Sequence, residues 1–226
     1  MTRSQTTCRR RAARVLIVDD HPAVREGLAM RISRQPDLEV CGEAVDIADA
    51  LQLLAATHPD VVVIDISLKS SNGLDLIKRI KTRNPSIRML AWSMHNESVY
   101  AERALRAGAM GYINKEHATD KIIEAIRTVL IGKMYLSEPM ADLLLHRAVR
   151  GGGNQVERSP VESLSDRELE VFQLIGRGLA TQQVAKKMHL SHKTVETYRS
   201  RIKEKLQLHS APELIHRAVH WQVENA

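Results

Sequence analysis

A doubly wound, five-stranded parallel α/β domain followed by a four-helix, all-α unit is the architecture this sequence predicts. Two observations carry it. Up to about residue 132, five strand-length apolar runs alternate with stretches of helical period; beyond about residue 163 only helical periods remain. The length of 226 residues agrees, since it exceeds the common domain size of roughly 100 to 150 residues.

The strand runs are Val15 to Val18, Leu38 to Cys41, Val61 to Ile64, Met89 to Trp92 and Gly111 to Ile113. Largely apolar runs of this kind belong to a parallel sheet covered on both faces, because alternation with polar residues is expected only where one face meets water. The covering helices read as Val24 to Arg34, Ala48 to Ala56, Leu74 to Arg83, Val99 to Ala107 and Lys121 to Leu130. Gly132 and Pro139 then break the pattern, a short helix fits Met140 to Val149, and Gly151-Gly152-Gly153-Asn154 through Pro160 has linker composition. The last part reads as helices Asp166 to Gly176, Gln182 to Met188, Lys193 to Leu206 and Pro212 to Trp221. The expected division is a basic disordered tail at 1–13, the α/β domain at 14–132, a linker at 133–162 and the helical domain at 163–226.

Composition narrows the class. With 43% hydrophobic and 27% charged residues the chain is neither a disordered polyelectrolyte nor a membrane protein. No apolar run approaches the ~18 residues of a membrane span, and the arginine-rich N-terminus leads straight into a strand, so a cytoplasmic location is expected. The two cysteines, Cys8 and Cys41, are too few for a disulfide scaffold and have no metal-ligand spacing. The net charge of +6 lies at the ends: residues 1–14 hold five arginines, and residues 163–226 hold ten basic against seven acidic residues. That excess attracts phosphate backbones only modestly.

In a parallel sheet the functional crevice lies beyond the carboxyl ends of the strands. Asp19 and Asp20 end the first strand and Asp65 the third, so topology brings three carboxylates to one edge. Such a cluster needs a cation. Oxygen-only ligands suit Mg²⁺ or Mn²⁺. The Asp20-His21-Pro22 loop has no glycine-rich fingerprint, which disfavours a dinucleotide site. A carboxylate beside a divalent ion is a nucleophile toward phosphorus, and Asp65 with Lys115 after the fifth strand fits an acyl phosphate and its neutralising cation.

Leu16-Ile17-Val18-Asp19-Asp20-His21, Asp65-Ile66-Ser67-Leu68 with Gly73, Ser93, and Gly108 to Lys115 resemble the receiver domain of two-component response regulators over about 118 residues. The resemblance implies that Asp65 accepts phosphate from a sensor histidine kinase, and that Asp19, Asp20, Asp65 and the backbone carbonyl of Ser67 organise the metal. It further implies that Lys115 pairs with the phosphoryl group while Ser93 and Tyr112 switch in response. One departure is Lys69, where the family usually has proline.

Ser165 with Glu168 three residues on has the spacing of a capping box, and Ser191 caps a basic helix that follows a short helix and a tight turn. Such a helix fits the DNA major groove. Helical spacing turns Val195, Ile202 and Leu206 inward and leaves Glu196, Thr197, Ser200 and Lys203 on the open side, with Lys193, Tyr198, Arg199 and Arg201 flanking. Leu164 to Val219 resembles the LuxR-type helix-turn-helix in Arg167-Glu168, Gly178, Val184-Ala185, Leu190-Ser191, Thr194-Val195, Lys205-Leu206 and Leu214, and together with the receiver resemblance this implies the NarL/FixJ subfamily. DNA contacts are then expected from Thr181, Lys193, Thr194, Glu196, Thr197, Arg199, Ser200, Arg201 and Lys203. Glu196 departs from the lysine common in relatives; a glutamate repels phosphate but accepts a hydrogen bond from cytosine.

The implied function is a DNA-binding transcriptional regulator whose phosphorylation at Asp65 shifts homodimerisation and binding to a two-fold double-stranded site. The receiver would catalyse only its own phosphoryl transfer and dephosphorylation. One alternative is a phosphorylation-independent regulator with the receiver as dimerisation scaffold. Another is an aspartate-based phosphohydrolase, disfavoured because that class usually has a second aspartate where Ser67 stands.

Overall fold

The computed structural model describes residues 11–68, 71–116, 121–150 and 160–224. In chain order the first elements are β1 (Ala13–Val18), α1 (Pro22–Ser33), β2 (Leu38–Ala44), α2 (Ile47–Thr57), β3 (Val61–Asp65), the short strands β4 (Ser67–Leu68) and β5 (Ser71–Asn72), and α3 (Gly73–Arg83). There follow β6 (Arg88–Ser93), α4 (Glu97–Ala107), β7 (Gly111–Asn114), α5 (Ile122–Leu130) and α6 (Glu138–Arg150). The helical part holds a 3₁₀ turn (Pro160–Ser163), α7 (Asp166–Gly176), α8 (Thr181–Met188), α9 (His192–Lys205) and α10 (Ala211–Glu224). The basic tail up to residue 10 and the glycine-rich stretch expected as linker lie outside the described residues.

The main sheet is parallel throughout, in the order β2-β1-β3-β6-β7. Its strands alternate faces as their two-residue period demands. Leu16, Val18, Val62, Ile64, Met89, Ala91 and Tyr112 enter the core shared with α2, α3 and α4, whereas Val15, Ile17, Val61, Val63, Leu90, Trp92 and Ile113 enter the core shared with α1 and α5. Both faces are therefore sealed, which is why the strands read as nearly unbroken apolar runs.

Helix starts follow side-chain caps written locally in the sequence. Asp46, Asn72 and Asn96 accept hydrogen bonds from Asp49, Leu74 and Ser98 amides. Ser165 and Glu168 form the reciprocal capping box, and Ser191 accepts from the Thr194 amide. Two features were not legible in the sequence. The first is the β4–β5 pair behind the third strand. The second is Tyr135, which exchanges backbone hydrogen bonds with Met110 and Tyr112, so the chain after α5 runs along the edge strand.

The helical part packs against α4. Val161, Leu164, Leu169 and Phe172 belong to the same apolar cluster as Tyr100, Ala104 and Met140. Polar contacts fix the docking: Arg103 donates to the Leu164 carbonyl at 2.8 Å and to Asp166 at 3.1 Å, and Lys78 reaches Asp166 at 2.8 Å. At the centre the buried Tyr100 hydroxyl donates to Gln173 Oε1 at 2.9 Å.

Candidate functional site

The edge predicted to be reactive is assembled from strand ends. Asp19 and Asp20 follow β1, Asp65 ends β3, Ser93 ends β6 and Lys115 follows β7. Lys115 Nζ lies 2.6 Å from Asp19 Oδ2 and 2.8 Å from Asp65 Oδ2. Its backbone amide donates to the Ser93 carbonyl at 2.9 Å, so the β6–β7 pairing positions the ammonium. The three aspartates are almost sealed, with exposures of 3%, 7% and 2%. Burial pushes the Asp65 carboxyl above its ordinary range, and the Lys115 charge and hydrogen bond oppose that.

Ligand atoms of Asp19, Asp20, His21 and Asp65 all lie within 4.8 Å of one another. The carboxylate oxygens in this set fit a small hard cation that keeps several waters, so the residues present suit Mg²⁺ or Mn²⁺. His21 was not singled out from the sequence. Its amide donates to Asp19 Oδ1 at 2.8 Å and its exposed ring stands 3.2 Å from Asp20 Oδ1, but an imidazole is a softer donor than Mg²⁺ prefers. The Ser67 amide donates to Asp65 Oδ1 at 3.1 Å, which places Ser67 beside the carboxylate. Lys69 lies outside the described residues.

The carboxylate loop is held from behind by Gly73. Its amide donates to the Ile66 carbonyl at 2.8 Å, and a Cβ on it would stand 2.0 Å from the Asp65 carbonyl oxygen. Only glycine permits that approach.

Ser93 and Tyr112 are both fully buried. They meet at a residue the sequence reading missed, His95. The His95 amide donates to Ser93 Oγ at 3.2 Å, and its carbonyl accepts from the Tyr112 hydroxyl at 2.7 Å. The ring Nε2 shares a 2.6 Å hydrogen bond with Ser67 Oγ and stacks on Tyr100 with centroids 4.4 Å apart. Burial, with the charges of Arg177 and Lys115, lowers the His95 pKa to about 4, so the ring is neutral near pH 7. A chain of contacts thus runs from Asp65 through Ser67, His95 and Tyr100 to Gln173 in α7. No periodicity or spacing marks it, because its members lie far apart in sequence.

In the helical part, α8 and α9 are joined by a turn with His189 in the left-handed region, φ 53°. Val195 and Ile202 are buried and Leu206 half-buried, while Lys193, Glu196, Thr197, Ser200 and Arg201 are exposed on α9. Lys203, Arg199, Thr194 and Thr181 are half-buried. Thr181 Oγ1 donates to Glu196 Oε1 at 2.9 Å and Arg199 Nε lies 3.6 Å from the same oxygen, so the two helices share a polar clasp at their open face. Thr194 Oγ1 bonds Ser191 Oγ, and Thr197 Oγ1 donates to the Lys193 carbonyl.

Two family models match. Residues 15–127 match the response regulator receiver domain, and residues 162–218 match the bacterial regulatory proteins of the luxR family. This chain is a NarL/FixJ-type response regulator.

The response regulator is 35% identical over 209 residues to the oxygen regulatory protein NreC of Staphylococcus carnosus, covering 91% of this chain and 96% of the relative. It is 35% identical over 214 residues to the response regulator GacA of Pseudomonas aeruginosa, covering 94% and 99%. Among solved structures it resembles RcsB of Salmonella enterica serovar Typhimurium bound to promoter rprA, with a TM-score of 0.62, 25% identity and coverage of 91% and 97%. The receiver and the LuxR-type DNA-binding domain make it a transcriptional regulator. Among the described residues, no helix of this response regulator is long and apolar enough to cross a membrane.

Proposed function

We propose that this regulator is switched by transfer of a phosphoryl group from a sensor histidine kinase to Asp65, and that the phosphorylated chain binds a two-fold DNA site as a homodimer. The observation that carries the reading is Lys115 Nζ held between Asp19 and Asp65 at 2.6 and 2.8 Å in a nearly sealed carboxylate cluster. A lysine so placed favours the ionised form of the buried Asp65, the form that attacks phosphorus, against the pull of burial, and then neutralises charge on the acyl phosphate formed. Asp19 and Asp20, with Asp65 and the Ser67 carbonyl, would hold Mg²⁺ or Mn²⁺, which supplies charge neutralisation at the transferring phosphoryl oxygens.

Ser93 ends β6 with its carbonyl bonded to the Lys115 amide. Ser93 and Tyr112 are both hydrogen-bonded through His95, so movement of Ser93 toward the phosphoryl group would alter the Tyr112 and His95 contacts. Self-catalysed phosphorylation and dephosphorylation are the only chemistry assigned. Thr181, Lys193, Thr194, Glu196, Thr197, Arg199, Ser200, Arg201 and Lys203 would face DNA, with the lysines and arginines on phosphates and Glu196, Thr197 and Ser200 toward bases. RcsB bound to a promoter supports this by likeness. We assign the receiver to 14–132, the linker to 133–162 and the DNA-binding domain to 163–226, in a cytoplasmic protein.

Incubation with acetyl phosphate and Mg²⁺, followed by intact mass and oligomeric size, tests the reading. A phosphate-sized increase in mass that requires Asp65 and the metal, with dimerisation, is expected. Absence of that increase in wild type, alongside labelling of a control receiver, would sink it.

A further inference from the structure

Gln173 and Arg177 lie four residues apart at the end of α7, on one helical face. Because Tyr100 holds Gln173 in the domain interface, the next turn carries Arg177 to the receiver's reactive edge. There Arg177 lines a cavity of about 510 Å³ together with Asp65, Ser67, His95 and Lys115. The α7 C-terminus also anchors locally, since the Arg177 amide donates to the Gln173 carbonyl at 3.0 Å. The guanidinium charge is felt at His95, the ring bonded to Ser67.

We propose that Arg177, supplied by the DNA-binding domain, completes the phosphoacceptor pocket and binds the phosphoryl oxyanion carried by Asp65, so that phosphorylation tightens the docking of the two domains. The inference rests on the reading of Asp65 as phosphoacceptor. Its charge logic is direct. Lys115 is already shared between two carboxylates, and an added phosphoryl group carries roughly −1.5 to −2, more than the carboxylate it replaces. An arginine fork matches phosphoryl oxygens better than any other side chain. The competing partners are Glu97 and Glu116, which line an adjoining cavity of about 660 Å³ that Arg177 also touches. Docking in this arrangement leaves α9 open, with Glu196, Thr197, Ser200 and Arg201 exposed, so tightening it does not cover the face expected to meet DNA.

The test uses the full chain as wild type, Arg177→Gln, Arg177→Lys and Asp65→Asn, each with and without acetyl phosphate and Mg²⁺. Intact mass reports labelling, and amide hydrogen exchange in α4 and α7 reports docking. Labelled wild type is expected to exchange about fivefold more slowly in α7, the size of an interaction worth roughly 1 kcal/mol. Arg177→Gln is expected to take the label without that slowing, and Arg177→Lys to recover part of it. The inference is overturned if labelled Arg177→Gln slows as wild type does, if the substitution changes exchange equally with and without label, or if labelling speeds exchange in wild type. Wild type that takes no label overturns the phosphoacceptor reading and this inference with it, an outcome the mass measurement identifies separately.

Discussion

Lys115 and Asp65 meet at 2.8 Å with side-chain exposures of 7% and 3%, and the same ammonium reaches Asp19. One cation therefore serves two buried carboxylates, one just past the end of β1 and one at the end of β3. Breaking such an arrangement from the cationic side strands two like charges away from water. Lys115→Ala is expected to lower unfolding free energy by about 3 to 5 kcal/mol in the absence of divalent metal. Asp65→Asn leaves Lys115 paired with Asp19 and removes a carboxylate whose charge burial disfavours, so it is expected to be neutral or mildly stabilising, within about 1 kcal/mol. Urea unfolding of both variants checks this; equal losses would show that the ammonium is not what holds the cluster.

Gly73 closes against the Asp65 backbone. Gly73→Ala places a Cβ 2.0 Å from the Asp65 carbonyl oxygen, a clash relieved only by shifting one backbone segment. The expected loss is roughly 1 to 3 kcal/mol of stability, with slowed labelling by acetyl phosphate. Thermal unfolding and the labelling rate read the two effects; a variant as stable and as reactive as wild type would mean that the loop shifts freely.

Glu168 joins the capping box to Lys205, whose Nζ lies 2.6 Å from Oε2. Burial raises its carboxyl pKa, yet the bonds from Lys205 and from the Ser165 amide and hydroxyl outweigh burial, and the group is held below its ordinary value of 4.5. The folded state then binds fewer protons than the unfolded one, so the stabilisation is fully present above about pH 4.5 and fades as pH falls below it. Glu168→Gln is expected to be less stable than wild type at pH 7, with the gap narrowing toward about pH 3.5. A gap that is constant across this range would remove the ionic bond from the account.

Glu196 is clasped by Thr181 and Arg199 on the open face of α9. Glu196→Lys replaces a phosphate-repelling charge with an attracting one and frees Arg199. Affinity for non-cognate duplex DNA is expected to rise, and the slope of log K against log salt to steepen by about 1 for each additional phosphate neutralised. Fluorescence anisotropy at several salt concentrations measures both; an unchanged slope would place residue 196 away from the backbone.

Much of this was local and therefore legible in the chain. The α7 boundaries, Asp166–Gly176, match the sequence expectation because the Ser165–Glu168 box and the following turn are set by neighbours. Other helix ends moved by one to three residues: α1 starts at Pro22 rather than Val24, since a proline at the first turn needs no amide partner, and α10 runs on to Glu224 past Trp221. Asp19, Asp65 and Lys115 could be brought together in thought because parallel strands place their carboxyl ends on one edge.

What the sequence by itself determined was the alternation of strands and helices, the caps and the strand-end carboxylates, since periods of two and 3.6 residues and capping bonds act over a few positions. Only the tertiary structure decided how the halves meet. His95 against Ser67, Tyr100 against Gln173, and Arg177 lining one cavity with Asp65 bring together residues separated by tens of positions. Contacts of that kind follow from the docking of whole surfaces and leave no short-range pattern in the chain.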